Sequence, residues 1–177
     1  MSAEESKTTG YHLFLEPEGD TGKLLQDTID SLAATYGGPE FPPHLTVLAR
    51  IPGENESVVC EKALELSEGT RPLTVSCEGF GMQDSYFKSL YLVASPTDEL
   101  LALHKHAQEL FTMSTSESYV PHISLMYGTL PTEQKKRIIE TLGHLSSCSF
   151  TVQSLSVWRT PGETSSWTRV ATFPLLG

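Results

Sequence analysis

Residues 42–51 read PPHLTVLARI, and residues 120–128 read VPHISLMYG. Each stretch holds a proline, a histidine and, two positions later, a hydroxyl. These are Pro43-His44-Leu45-Thr46 and Pro121-His122-Ile123-Ser124, 78 positions apart. Working outward, the same interval recurs. Leu73-Thr74-Val75 matches Phe150-Thr151-Val152 at 77, Val93-Ala94-Ser95 matches Val170-Ala171-Thr172 at 77, and Phe14-Leu15 falls opposite Leu92-Val93 at 78. Four matches at nearly one interval indicate an internal duplication. A period this long marks a lobe rather than a solenoid repeat.

The elements around these matches follow from hydrophobic periodicity. Strands are expected at 11–17, 44–51, 73–80, 90–94, 122–127, 150–158 and 167–173. Helices are expected at 20–36, 57–66, 98–111 and 132–142. Their apolar faces are Leu24, Leu25, Ile29 and Leu32 in the first, Val58, Val59, Ala63 and Leu66 in the second, and Leu100, Leu101, Leu103, Ala107 and Leu110 in the third. Gly37-Gly38-Pro39 stops the first helix, and Pro131 stands near the first turn of the fourth. Strand-helix-strand-helix-strand therefore occurs twice. The expectation is an α+β fold over residues 1–177, a single domain of two lobes related by a pseudo-twofold axis, with motif strands at 44–51 and 122–127 facing each other across a cleft.

Composition narrows the partners. The chain has 177 residues, 38% of them apolar, and a mean hydropathy of −0.17. No apolar run is long enough to span a bilayer, and the opening MSAEE is acidic rather than a secretory leader. With 12 Lys and Arg against 22 Asp and Glu, the net charge is −10. Long nucleic acids are held by cations that displace condensed counterions, so none is expected as a partner. A small anion is still allowed, since local donors outweigh a screened global field at short range. Cys60, Cys77 and Cys148 are odd in number and widely spaced, as expected for reduced thiols in the cytoplasm; one disulfide stays open. A cytoplasmic monomer is the expectation.

Along a strand, residues i and i+2 share a face, roughly 6–7 Å apart. His44 and Thr46 therefore point together, as do His122 and Ser124, while Leu45 and Ile123 point into a core. Two such pairs across a cleft can surround one tetrahedral phosphate. One imidazole, as free base, deprotonates an attacking water; the other, as imidazolium, protonates the departing oxygen. The hydroxyls donate to the non-bridging oxygens as charge shifts. No tight carboxylate or His/Cys cluster stands in the sequence, so no metal and no other cofactor is expected. A third copy, His144-Leu145-Ser146, has no counterpart at the repeat interval and is background. His104 and His106, two apart on a helix, are read as surface residues, and His12 is given no role.

The two quoted stretches, at a spacing near eighty, resemble the paired motifs of the two-histidine (2H) phosphoesterase superfamily. PHISLMYG, with a tyrosine three residues after the hydroxyl, looks most like its cyclic phosphodiesterase branch from plants and yeast. The opening strand YHLFLEPEG and the whole element order fit that branch. The resemblance implies a bilobal fold with antiparallel sheets lining a central cleft and helices outside. It implies hydrolysis of ADP-ribose 1″,2″-cyclic phosphate to ADP-ribose 1″-phosphate, a by-product step of tRNA splicing, and opening of nucleoside 2′,3′-cyclic phosphates to 2′-phosphates. By motif match, His44, Thr46, His122 and Ser124 take the catalytic roles, and Tyr127 contacts phosphate or substrate. Some members carry Trp on the first strand, where this chain has Phe14; stacking on a base would survive that change in weaker form.

Alternatives remain open at this level. Tyr127 could equally be a strand-end aromatic packed on a helix. Phe14, Tyr86, Phe87 and Trp158 could line a base-binding wall, and Lys88 and Arg159 could meet a second phosphate; for each, packing or solvated charge is the rival reading. An RNA-end-processing two-histidine enzyme and a non-catalytic nucleotide-binding module would use the same residues.

Overall fold

The computed structural model describes residues 7–53, 55–114 and 118–177. Among them, eight strands pair antiparallel in the order β6-β3-β4-β5-β2-β1-β7-β8. In chain order the elements are β1 (Tyr11–Leu15), α1 (Gly19–Tyr36), β2 (Leu45–Ile51), α2 (Glu56–Glu68), β3 (Leu73–Met82), β4 (Leu90–Ala94), α3 (Asp98–Leu110), β5 (His122–Met126), α4 (Thr132–Thr141), β6 (Ser149–Val152), β7 (Ser154–Arg159) and β8 (Thr168–Pro174). The α+β class expected from the sequence holds. The two halves of the sheet meet where β2 pairs β5, so the motif strands expected to face each other across a cleft are instead hydrogen-bonded neighbours in one sheet.

The registers place repeat-related residues opposite one another. Leu45 pairs with Ile123 at the β2–β5 seam, and Thr74 pairs with Thr151 between β3 and β6. Each pair is one repeat interval apart, as a twofold axis passing between its members requires. The helices pack crosswise in the same sense: α1 lies on β5 and α3 on β2, while α2 meets β7 and α4 meets β3. Leu45 and Ile123 have no solvent exposure. Truncating either to Ala would cost roughly 2–5 kcal/mol at the one registered contact of the seam.

Three further expectations change. The strand expected at 150–158 is two strands broken at Gln153: β6 pairs β3, whereas β7 pairs β1 and β8. A strand cannot stay straight and serve both halves of a twisted sheet. The match of 93–95 with 170–172 is not a twofold equivalence, because β4 lies between β3 and β5 while β8 is an edge strand beyond β7. Finally, Leu24, Val58 and Leu101 are exposed, whereas their neighbours Leu25, Val59 and Leu100 are buried. Adjacent helical residues are rotated by about 100°, so only one of each apolar pair can face the sheet.

Local chemistry sets the ends. Asn55 caps α2 through Oδ1 to the Ser57 N–H at 3.1 Å, and Thr97 caps α3 through Oγ1 to the Leu100 N–H at 3.3 Å. After α1, Gly38 runs at φ +119°, and a Cβ there would meet the Tyr127 carbonyl oxygen at 2.8 Å. Glycine thus lets the chain pass close over the end of β5. Just beyond, Phe41 stacks on Tyr127 with ring centroids 3.8 Å apart.

Candidate active site

His44 immediately precedes β2, and His122 opens β5. Each ring is held in the same way. The Nδ1–H of His44 donates to the Pro42 carbonyl at 2.7 Å, and the Nδ1–H of His122 donates to the Val120 carbonyl at 2.8 Å. These carbonyls lie two residues before each histidine and one repeat apart. Donation through Nδ1 selects the tautomer in which Nε2 carries the lone pair. Both histidines, with Thr46 and Ser124, line one cleft of about 370 Å³. The strand alternation that puts them there also puts Leu45, Ile123 and Leu125 into the core at zero exposure.

The two rings differ in their surroundings. His44 is 5% exposed and lies on the face of Phe14, centroids 3.8 Å apart at 18°. His122 is half-buried and meets the ring of Tyr91 edge-on at 5.1 Å. Burial lowers the pKa of His44 to about 3; the Pro42 carbonyl opposes this, and charge on His12 or His122 adds to it. Burial also lowers His122, against the Val120 carbonyl and with help from Lys88. Both imidazoles therefore lean toward the free base. A phosphate's negative charge between them acts the other way and favours imidazolium.

The Tyr127 hydroxyl stands 3.5 Å from Nε2 of His44. Burial raises the Tyr127 pKa, so this phenol stays protonated and available as a donor. The Tyr127 ring packs on Phe41, in the stretch before β2 rather than on a helix, and its hydroxyl lies beside Nε2 of His44. Ser124 donates through Oγ to the Phe87 carbonyl at 3.1 Å. Thr46 is half-buried on the same wall, paired across the ladder with Phe14. Phe14 is 1% exposed and has one face against His44.

Other expectations are redistributed. His104 is not a free surface residue: its Nδ1–H donates to the Val47 carbonyl at 2.7 Å, and its ring stacks on Tyr119 at 3.8 Å and 5°. Tyr119 in turn donates to the Thr46 carbonyl at 2.9 Å. The cause is local. Between the pairs Phe14–Thr46 and Tyr11–Ile51, β2 advances five residues while β1 goes back three, so β2 carries two bulged residues. Side chains from α3 and the approach to β5 donate to the carbonyls of that irregular stretch. Its last exposed residue, Arg50, has φ 56°. His106 is exposed as expected, and His144 sits exposed in a short 3₁₀ turn.

Of the aromatic and basic residues expected at the wall, Phe14, Phe87 and Lys88 line the cleft. Trp158 does not: its Nε1–H donates to Glu16 at 2.7 Å, and Arg169 lies over its ring while pairing with Glu16. Arg159 is exposed at the end of β7, and Tyr86 packs against Phe87 and Tyr127 from outside the cleft. Sequence reasoning missed His12, Arg50, Tyr119 and Trp167, all of which line the cleft. His12 is 7% exposed, with Nε2 3.2 Å from the Thr8 hydroxyl, and burial lowers its pKa to about 4. His12, Arg50 and Trp167 have no repeat partner of like chemistry, so the duplication could not single them out, whereas Tyr119 falls opposite Phe41, another aromatic, at the interval of 78. Among the described residues no three His, Cys, Asp or Glu side chains come together as metal ligands, and no helix is long and apolar enough to cross a membrane.

Comparison with known proteins agrees with this geometry. Over 166 residues the chain is 27% identical to a protein of Arabidopsis thaliana named cyclic phosphodiesterase, covering 90% of each. Over 121 residues it is 28% identical to a 2′,3′-cyclic-nucleotide 3′-phosphodiesterase of Phaeosphaeria nodorum, covering 61% of this chain and 62% of that one. Among solved structures, TT0787 of Thermus thermophilus superposes with a TM-score of 0.66 at 15% identity, over 94% of this chain and 98% of that one, a likeness of fold. The model of the 2′-5′ RNA ligase superfamily matches residues 21–164, most of the chain, and with its two histidine motifs on neighbouring strands the chain belongs to that superfamily, the two-histidine phosphoesterases.

Proposed function

We propose that this phosphodiesterase hydrolyses small cyclic phosphates: ADP-ribose 1″,2″-cyclic phosphate to ADP-ribose 1″-phosphate, and nucleoside 2′,3′-cyclic phosphates to 2′-phosphates. The observation that carries the reading is the matched pair of imidazoles, each tied through Nδ1 to a carbonyl two residues back, which leaves the Nε2 lone pair for proton transfer. That arrangement presents two proton-transfer nitrogens to one phosphorus. One takes the proton of a water whose oxygen attacks phosphorus. The other gives its proton to the ester oxygen as its bond to phosphorus breaks, the 3′ oxygen of a nucleoside or the 2″ oxygen of ADP-ribose. The pair ends with its proton transferred from one ring to the other, and exchange with solvent restores it.

The remaining residues act by position. Thr46 and Ser124 donate to the non-bridging oxygens; Ser124 turns its proton from the Phe87 carbonyl to do so. Tyr127 is a third donor beside His44. Phe14 supports the His44 ring from below. Lys88 and Arg50 on the cleft wall suit a substrate carrying further phosphates, as ADP-ribose does. The Trp167 Nε1–H, buried without an acceptor among the described residues, is one more donor on that wall.

The acidic balance of the chain favours a small nucleotide over a long strand, and we propose a monomer acting without metal in the cytoplasm. The test is turnover of ADP-ribose 1″,2″-cyclic phosphate, 2′,3′-cyclic AMP and a decaribonucleotide ending in 2′,3′-cyclic phosphate, at two salt concentrations and with and without EDTA. The expected result is efficient, chelator-resistant turnover of the small substrates and a poorer decanucleotide whose disadvantage shrinks with salt. Preference for the decanucleotide, weakening with salt, would instead indicate an RNA-end enzyme. Binding without turnover of any of them would indicate a nucleotide-binding module.

A further inference from the structure

Away from the cleft, two cysteines meet across the second junction of the sheet. The β3–β6 ladder pairs Ser76 with Ser149. One step further along the same register stand Cys77 and Cys148, and the Cys77 N–H donates to the Cys148 carbonyl at 2.8 Å. Their sulfurs are 3.0 Å apart, and both are free thiols. Directly opposed residues of an antiparallel pair have Cα atoms about 4.5–5.5 Å apart. Disulfides span Cα separations of about 4.4–6.8 Å, with an S–S bond of about 2.05 Å. The backbone already satisfies the requirement, and side-chain rotation of both thiols has about 1 Å left to close.

We propose that Cys77 and Cys148 are a reversible redox modification site, forming an intramolecular disulfide with a small disulfide oxidant such as glutathione disulfide and stapling β3 to β6. The two thiols are unequal in a useful way. Cys148 is half-buried and within reach of the oxidant, whereas Cys77 is buried behind it. Contact with Cys77 holds the Cys148 thiol below its ordinary pKa, and the same contact with burial raises Cys77. The Cys148 thiolate attacks one sulfur of glutathione disulfide; that S–S bond breaks, and one glutathione leaves as thiolate with the electron pair. Cys77 then loses its proton to solvent and attacks Cys148 Sγ. The mixed disulfide breaks, and the second glutathione leaves. The two protein thiols have lost two electrons and two protons, and the glutathione disulfide has become two glutathione molecules. Reduction by a dithiol runs the exchange backward. The expected reduced thiols of a cytoplasmic protein are the resting state of this site.

The staple links positions 71 apart in the chain, at the junction where Thr74 meets Thr151. Cross-linking so long a loop restricts the unfolded chain strongly. The thiol pair is independent of the chemistry in the cleft. The experiment treats the native full-length chain with glutathione disulfide, counts remaining thiols, maps cross-linked peptides under non-reducing conditions and records thermal unfolding. The expected outcome is a fall from three titratable thiols to one, Cys60, with a Cys77–Cys148 peptide. The oxidised form should unfold about 5–15 °C higher, and dithiothreitol should reverse both changes. Cys148→Ser should keep its unfolding temperature on the same treatment and form no cross-link. Three titratable thiols after oxidation, or a cross-link that involves Cys60, would overturn the site. An unchanged unfolding temperature in the cross-linked wild type would overturn the stapling.

Discussion

The buried histidines make stability depend on pH in a way that can be worked out beforehand. In the folded chain His44 protonates near pH 3 and His12 near pH 4, against an ordinary value of 6.5. The unfolded chain therefore binds protons that the folded chain refuses as pH falls below 6.5. Each group contributes stability that is whole above pH 6.5 and is lost as pH falls toward its folded value. At pH 5 neither folded ring has titrated, so the loss depends only on the unfolded pKa. It is about 1.5 pH units at 1.36 kcal/mol each, or ~2 kcal/mol per histidine. His122, lowered in the same direction, adds to it. The assay is urea unfolding at pH 7 and pH 5 for the wild type and for His44→Asn. Asparagine removes the titrating ring, and the carboxylates common to both chains cancel in the comparison. Between the two pH values, the wild type should lose ~2 kcal/mol more than the variant. Equal losses in the two proteins would refute the burial of a neutral His44. His12→Gln, away from the paired imidazoles, should give a difference of the same sign and size.

Three further outcomes follow from the cleft. His44→Ala and His122→Ala should each lower kcat by ~10²–10⁴ while remaining folded by circular dichroism; near-wild-type turnover by either would end the two-histidine reading. The profile of kcat/KM against pH should be a bell centred below pH 6.5, because it reports the free enzyme, in which both rings are lowered. That of kcat should lie higher, since bound phosphate favours imidazolium, and the limbs belong to the pair rather than to either ring. Thr46→Val keeps the branched shape and should lower kcat more than it raises KM, whereas a change in KM alone would limit the hydroxyl to ground-state binding.

The primary sequence alone was enough to determine the α+β class, the order of elements apart from the break within 150–158, and the four residues His44, Thr46, His122 and Ser124 as one candidate set. Both rest on local rules: the two-residue period of a strand, the helical repeat, and a duplication that writes the same motif twice. The sequence did not disclose that His44 lies on Phe14, that Trp158 is tied to Glu16 rather than turned to the cleft, or that His104 and Tyr119 hold the carbonyls of β2. Nor did it show that Cys77 and Cys148 stand opposite each other across two strands. These are contacts between segments far apart in the chain, created by bulges in β2, the break at Gln153 and the crosswise packing of the helices. None leaves a period or a repeat behind it. The pKa values of the histidines belong with them, since burial is a property of the assembled cleft, and an imidazole in a strand carries the same letter whether water reaches it or not.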